Sequence, residues 1–74
     1  MRLISFLNKL DNEECNPHFV IGFNSYKENA YFTEWYSDKN ALLAQPNSTL
    51  TRNIESFWFN DKVNTICIEL RANR

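Results

Sequence analysis

The chain has 74 residues, of which 43% are apolar, with a single glycine and a formal net charge of −1. A domain of this length buries only about 60% of the surface that its unfolded chain exposes, so the core needs almost every apolar side chain. That leaves little apolar material for a deep substrate pocket, and the balanced charge argues against a nucleic-acid binder, which normally carries a basic stripe. We therefore expect one domain, residues 1–74, with no enzymatic activity, no cofactor and no direct nucleic-acid partner.

The sequence also predicts where the protein resides. Its opening segment MRLISFLNKL is too short and too interrupted for a secretion signal, and no apolar run approaches the ~18 residues of a membrane helix. We expect a cytoplasmic protein without membrane contact, in which Cys15 and Cys67 are reduced. Cys15 and His18 have a metal-like spacing, but a zinc site needs three or four ligands, so we predict no metal.

The first half of the chain reads mainly as strands. Residues 3–10 fit a strand and a helix almost equally well. Residues 11–17 are predicted to form a loop, and residues 18–24 (HFVIGFN) a strand. Residues 30–36 form a second strand and complete a hairpin. Residues 41–44 are either a brief strand or one helical turn, which Pro46 stops.

The second half gives the clearest helical pattern. It begins at Asn47 or Ser48, and a helix from there would place on one face Leu50, Ile54, Phe57 and Trp58. Residues 62–72 fit a helix or a strand, and we favour the helix. Strands followed by helices predict an α+β fold, with an antiparallel sheet of three to four strands and one or two helices packed on one face. The expected core includes Phe19, Ile21, Phe23, Leu50, Ile54 and Trp58.

Asparagine is unusually abundant in a chain with one glycine. Because asparagine supplies turns and tolerates left-handed backbone, we expect it to do here what glycine usually does.

Aromatic residues, 15% of the chain, supply the main functional signal. In a strand over residues 30–36, Tyr31, Thr33 and Trp35 share one face, and the other face carries Phe32, Glu34 and Tyr36. Helices can cover only one of these faces, so one side should lie in the core and at least one aromatic pair should face solvent or a partner. Exposed Tyr and Trp are typical of protein-binding hot spots. The alternative is that the exposed rings only stiffen the sheet through cross-strand pairing.

Two stretches resemble a known family. The opening Met1-Arg2-Leu3-Ile4-Ser5-Phe6-Leu7 resembles the Met-basic-apolar-Ile-x-aromatic-Leu start of a small phage anti-CRISPR family that inhibits the type I-F surveillance complex. Residues 54–59 (IESFWF) resemble Leu-Glu-Ser followed by three aromatics in the first helix of that family. The resemblance implies a four-stranded antiparallel sheet carrying two antiparallel helices, and a non-enzymatic inhibitor that blocks pairing of the guide with target DNA.

The resemblance also implies that aromatics and a glutamate on an open sheet face contact the CRISPR complex. Phe6 carries over by position, where the family has a tyrosine. We extend the predicted partner-binding set by strand parity to Phe23, Tyr26, Tyr31, Glu34, Trp35 and Tyr36. Two other functions remain open: a homodimeric regulatory or interaction protein that pairs through the exposed sheet, and a binder of single-stranded nucleic acid that stacks bases on Tyr31 and Trp35.

Overall fold

The computed structural model describes residues 1–10, 16–25 and 27–71. Three short helices and four strands are present in these ranges. In chain order they are α1 (Leu3–Lys9), β1 (His18–Ser25), β2 (Ala30–Tyr36), α2 (Lys39–Leu43), α3 (Asn47–Leu50), β3 (Ile54–Asn60) and β4 (Thr65–Leu70). Tyr26, Cys15 and most of the predicted 11–17 loop lie outside the described residues.

The four strands form one sheet in the order β2-β1-β4-β3. Two antiparallel hairpins, β1–β2 and β3–β4, meet where β1 and β4 run parallel at the centre of the sheet. A connection from β2 to β3 has to cross from one edge strand to the other, and α2 and α3 lie on it. The predicted α+β class and the sheet of three to four strands are confirmed, but the sheet is mixed and not purely antiparallel, three short helices replace the expected one or two, and two of the strands lie in segments predicted as helices.

The helices and one face of the sheet enclose the core. It consists of Leu3, Phe6, Leu7, Phe19, Ile21, Leu42, Leu50, Ile68 and Leu70. Residues 3–9 are helical because Leu3, Phe6 and Leu7 then point to one side and are buried together. A helix of seven residues is not stable alone. Backbone hydrogen bonds attach its start to the chain before β3, from Leu3 N to Arg52 O (2.9 Å) and from Ile54 N to Met1 O (2.8 Å).

The helix predicted from Asn47 onwards is the largest error. Only residues 47–50 are helical, and residues 54–60 form β3. Three adjacent aromatics (57–59) lose rotamer freedom in a helix and favour extended backbone, and β4 lies alongside to satisfy the backbone hydrogen bonds of β3. Leu50 is buried as predicted, whereas Trp58 was wrongly assigned to the core and is 52% exposed.

The helix favoured for residues 62–72 is also wrong, since residues 65–70 form β4. The helical stripe and the alternation fitted the sequence equally well. Position decides between them: β4 is a central strand flanked by β1 and β3, and its extended form buries Ile68 and Leu70 under the helices. Val63, part of the helical stripe, lies in the β3–β4 turn and is exposed.

Asparagine takes the role expected of it. Asn16, Asn29 and Asn64 adopt positive φ angles of 40°, 51° and 47°. Asn29 ends the turn before β2 and Asn64 ends the turn before β4, so both hairpins use an asparagine where a left-handed residue is needed. Among the described residues, no helix has the length and apolar character to cross a membrane.

Candidate interaction surface

The face of the sheet turned away from the core is the candidate site. Side chains alternate along each strand, and the cross-strand register therefore defines which residues share this face. We call it the open face, and it comprises His18, Val20, Gly22, Asn24, Tyr31, Thr33, Trp35, Ser56, Trp58, Asn60, Thr65, Cys67 and Glu69. The core residues of the strands, namely Phe19, Ile21, Ile68 and Leu70, all point to the other face, towards the helices. Gly22 and Thr65 are the two open-face residues that are also buried.

An apolar row crosses the open face from edge to edge. Trp35 pairs with Val20, Val20 with Cys67, and Cys67 with Trp58. Val20 and Cys67 are half-buried, whereas Trp35 and Trp58 at the two ends are 61% and 52% exposed. With strands about 4.8 Å apart, the two tryptophan backbones lie about 14 Å from each other. This row is therefore a flat apolar strip with a large exposed ring at each end.

Tyr31 extends the apolar surface across the single glycine. Its ring lies over Gly22, and its hydroxyl donates a hydrogen bond to Glu69 Oε2 at 3.3 Å. A Cβ atom at position 22 would lie 2.9 Å from Tyr31 Cζ and closer still to the hydroxyl, so only glycine allows this ring position. Partial burial raises the pKa of Tyr31, and the nearby Glu69 carboxylate and their hydrogen bond raise it further.

His18 orients Trp35 at the other end of β1. The two ring centroids are 5.2 Å apart and the ring planes are inclined by 40°. His18 Nδ1 lies 2.6 Å from Ser37 O, a carbonyl that can only accept, so Nδ1 carries a proton. This bond fixes the imidazole beside Trp35, and the indole is therefore supported on one side while most of its surface stays exposed.

The open face carries little charge. Among the open-face residues, Glu69 is the only one with a formal charge at neutral pH, and none is Lys or Arg. The nearest cation along β4 is Arg71, whose Nε binds Glu55 Oε2 at 3.0 Å. A phosphate-bearing ligand would therefore meet a carboxylate near the centre of the face without a neutralising side chain.

The structure separates the predicted partner-binding residues. Tyr31 and Trp35 lie on the open face, and Glu34 and Tyr36 lie on the helix side of β2. Phe6 is buried in the core on α1, so it is not on a sheet face at all. Phe23 is half-buried on the helix side, with the Arg52 guanidinium 4.6 Å above its ring. Tyr26 lies outside the described residues.

The expectation that one side of β2 lies in the core is wrong. Only Tyr36 is half-buried, and the other six residues of the strand are exposed. β2 is an edge strand, and the apolar core is centred on β1 and β4, so the helix side of β2 is covered only at its end. There Tyr36 donates a hydrogen bond to Glu34. Burial, with this bond and the carboxylate charge, raises the pKa of Tyr36 to about 12.

Sequence reasoning missed Val20, Gly22, Trp58, Cys67 and Glu69 as members of the same surface. Trp58 and Cys67 were hidden because their segments were interpreted as helices. The signal that would have found them is alternation: in a strand over 54–60, Trp58 faces away from Phe57 and Phe59. In the described ranges, no group of three or more His, Cys, Asp or Glu side chains could hold a metal ion.

No protein-family model, curated protein or solved structure matches this chain.

Proposed function

We propose that this protein is a non-enzymatic binding module that engages another protein through its open face. The observation that carries the proposal is the pair of tryptophans, both more than half exposed, at the two ends of a flat apolar row. A large apolar side chain that stays exposed forgoes the favourable free energy that its burial would provide. Contiguous exposed apolar patches in small proteins therefore commonly mark interaction sites.

The composition of the face favours a protein partner. Trp and Tyr are the residues most enriched at the centres of protein interfaces, where they bury large area with few rotatable bonds. Glu69 lies beside the apolar row with its carboxylate bound to Tyr31. A matching partner surface is apolar, with a cationic or hydrogen-bond donor group opposite Glu69.

The specific partner we propose to test first is the type I-F CRISPR surveillance complex, because of the resemblance of residues 1–7 and 54–59 to the anti-CRISPR family. These two stretches lie side by side: Ile54 N donates to Met1 O, and the Phe6 and Phe57 rings are 4.7 Å apart. The helix that the resemblance implied for residues 54–59 is wrong, since this segment is β3. The proposed contact therefore rests on the open face and not on a copied helix.

The test measures binding and stability together. Trp35→Ala should lower the affinity for the assembled complex by ~2–4 kcal/mol, which is about 30–1,000-fold. The same change should lower the free energy of unfolding by only about 1–2 kcal/mol, because roughly 100 Å² of the ring is covered and the rest is exposed. Phe32→Ala is the matched control, since it removes an exposed ring from the helix side of the same strand.

Each outcome has a distinct meaning. Failure of the wild-type protein to bind the assembled complex would remove this target. Equal losses for Trp35→Ala and Phe32→Ala would show that the open face is not the contact. A loss of several kcal/mol in stability for Trp35→Ala would assign the ring to the core.

Single-stranded nucleic acid is the second candidate ligand, because a four-stranded sheet with Tyr31, Trp35 and Trp58 on one face offers rings on which bases could stack. The charge of the open face argues against a nucleic-acid ligand, because the face carries the Glu69 carboxylate and no Lys or Arg. Titration with oligonucleotides decides: stacking would quench tryptophan fluorescence in a salt-dependent way, and an unchanged signal at low salt would eliminate this candidate.

A further inference from the structure

Among the described residues, β3 presents a free sheet edge beyond Ile54, whose N–H donates to Met1 O, and this edge carries large apolar side chains on both of its faces. It is the last strand in the order β2-β1-β4-β3. Phe57 and Phe59 point to the helix side and Trp58 to the open face, and all three are more than half exposed. The unpaired backbone groups of such an edge are a template for another strand.

The two edges of the sheet differ in how they are guarded. β2 carries Glu34 in its interior, and a charge within an edge strand opposes pairing with another sheet. In β3 the only charged residue, Glu55, lies near the start of the strand. The register with β4 also shifts there, between Ile54 and Ser56. Residues 56–60 (SFWFN) contain neither a charged residue nor a proline.

We propose that β3 pairs antiparallel with β3 of a second copy of this chain, around a two-fold axis at Trp58. This register places Trp58 opposite Trp58, Phe57 opposite Phe59, and Ser56 opposite Asn60 of the second copy. The result is a continuous sheet of eight strands, four from each copy, in which the two open faces form one surface. Self-complementarity of this kind is what a two-fold symmetric interface requires.

The helix side of β3 provides space for the incoming ring. An open depression of about 400 Å³ is lined there by Met1, Phe6, Ile54, Glu55, Ser56 and Phe57. Phe59 of the second copy, opposite Phe57, lies at the mouth of this depression. Side chains directly opposite on antiparallel strands have Cβ atoms about 5 Å apart, so the two phenyl rings come into contact.

The charges at the ends of β3 are compatible with this register. Glu55 falls opposite Asp61 of the second copy, and two isolated carboxylates there would repel each other. However, Arg71 already binds Glu55 at 3.0 Å, and its guanidinium has further N–H donors that can reach the second carboxylate. Symmetry places the same three groups at both ends of the paired strands.

The area predicts a weak dimer. Three rings that are each about half exposed contribute roughly 300 Å² per copy. Stable interfaces bury about 800 Å² per partner. The dimer should therefore dissociate on dilution, and its proportion should rise over about 10–500 µM.

Sedimentation velocity over that range tests the pairing. The wild-type chain should shift from the monomer towards the dimer, and Phe59→Lys, which places a charge in the edge, should remain monomeric throughout. Val63→Lys is the matched control: it replaces an equally exposed apolar residue in the turn after β3 and should dimerise as the wild type does. A wild-type chain that stays monomeric at about 500 µM, or a Phe59→Lys variant that dimerises normally, would overturn the proposal.

Disulfide trapping tests the register without removing an aromatic ring. In a background with Cys15 and Cys67 replaced by serine, a Ser56→Cys chain mixed with an Asn60→Cys chain should form a cross-linked heterodimer under mild oxidation. Neither chain alone should cross-link efficiently, because like positions are separated along the paired strands. Equal cross-linking of the separate chains, or none in the mixture, would contradict the two-fold axis at Trp58 even if Phe59→Lys were poorly folded.

Discussion

The contact between Tyr31 and Gly22 predicts that Gly22→Ala destabilises the protein when the Tyr31 ring is present and stabilises it when the ring is removed. In the wild-type background, Gly22→Ala places a Cβ against the end of the Tyr31 ring, where the nearest atoms are the hydroxyl and Cζ. Tyr31 is exposed enough to swing away, so the cost is the loss of its contacts with the sheet and of its hydrogen bond to Glu69.

The magnitude follows from what the ring covers. About half of the Tyr31 side chain is covered, which corresponds to roughly 100 Å² and ~2 kcal/mol if all of that contact were lost. An exposed hydrogen bond adds ~0.5 kcal/mol. Alanine regains ~0.5–1 kcal/mol over glycine in a strand, so Gly22→Ala should destabilise the protein by about 1–2 kcal/mol.

Urea unfolding of a double-mutant cycle provides the assay. In a Tyr31→Ala background no ring opposes the new methyl group, and Gly22→Ala should then stabilise the protein by ~0.5–1 kcal/mol. The wild-type and Tyr31→Ala backgrounds should therefore give opposite signs. Destabilisation of similar size in both backgrounds would refute the reasoning, because the glycine would then be required by the backbone and not by Tyr31.

Two further predictions concern ionisation and turn geometry. The pKa of Tyr36 is raised to about 12 from 10.0, so the folded state holds this proton more tightly than the unfolded state, and the free energy of unfolding should fall as the pH rises from about 10 to about 12. Absorbance titration at alkaline pH should show this late ionisation. Tyr36→Phe should remove both the ionisation and its share of the stability loss. Asn29 has a φ of 51°, so Asn29→Ala should destabilise the protein by ~1 kcal/mol in urea unfolding, whereas Asn29→Gly should be neutral or stabilising. Equal effects of alanine and glycine would contradict the requirement for left-handed backbone at this position.

The sequence predicted the first hairpin well because local signals there agree. β1 and β2 combine β-branched and aromatic residues with a polar turn that ends in Asn29, and the predicted bounds match the observed strands to within a residue. The surplus of aromatics also indicated correctly that some rings remain outside the core, and Trp35 and Tyr31 do.

The sequence could not decide between helix and strand in the second half of the chain, because the helical and the strand periodicity fitted the same residues. Ile54, Phe57 and Trp58 suit a helical stripe, yet in β3 Phe57 and Trp58 point to opposite faces. The deciding factor is that β3 and β4 can pair with each other and that β4 can also pair with β1. These contacts connect residues far apart in sequence, so no window of the sequence contains them.

The sequence by itself determined two features: asparagines in the left-handed turn positions, and more large rings than the core holds. What only the tertiary structure decided is where those rings meet. Trp35 and Trp58 belong to one surface because β1 and β4 lie side by side between the edge strands β2 and β3, a pairing set by the shared core of Phe19, Ile21 and Ile68. Strand order depends on which apolar faces are buried together, and that choice minimises the free energy of the whole chain, not of any segment.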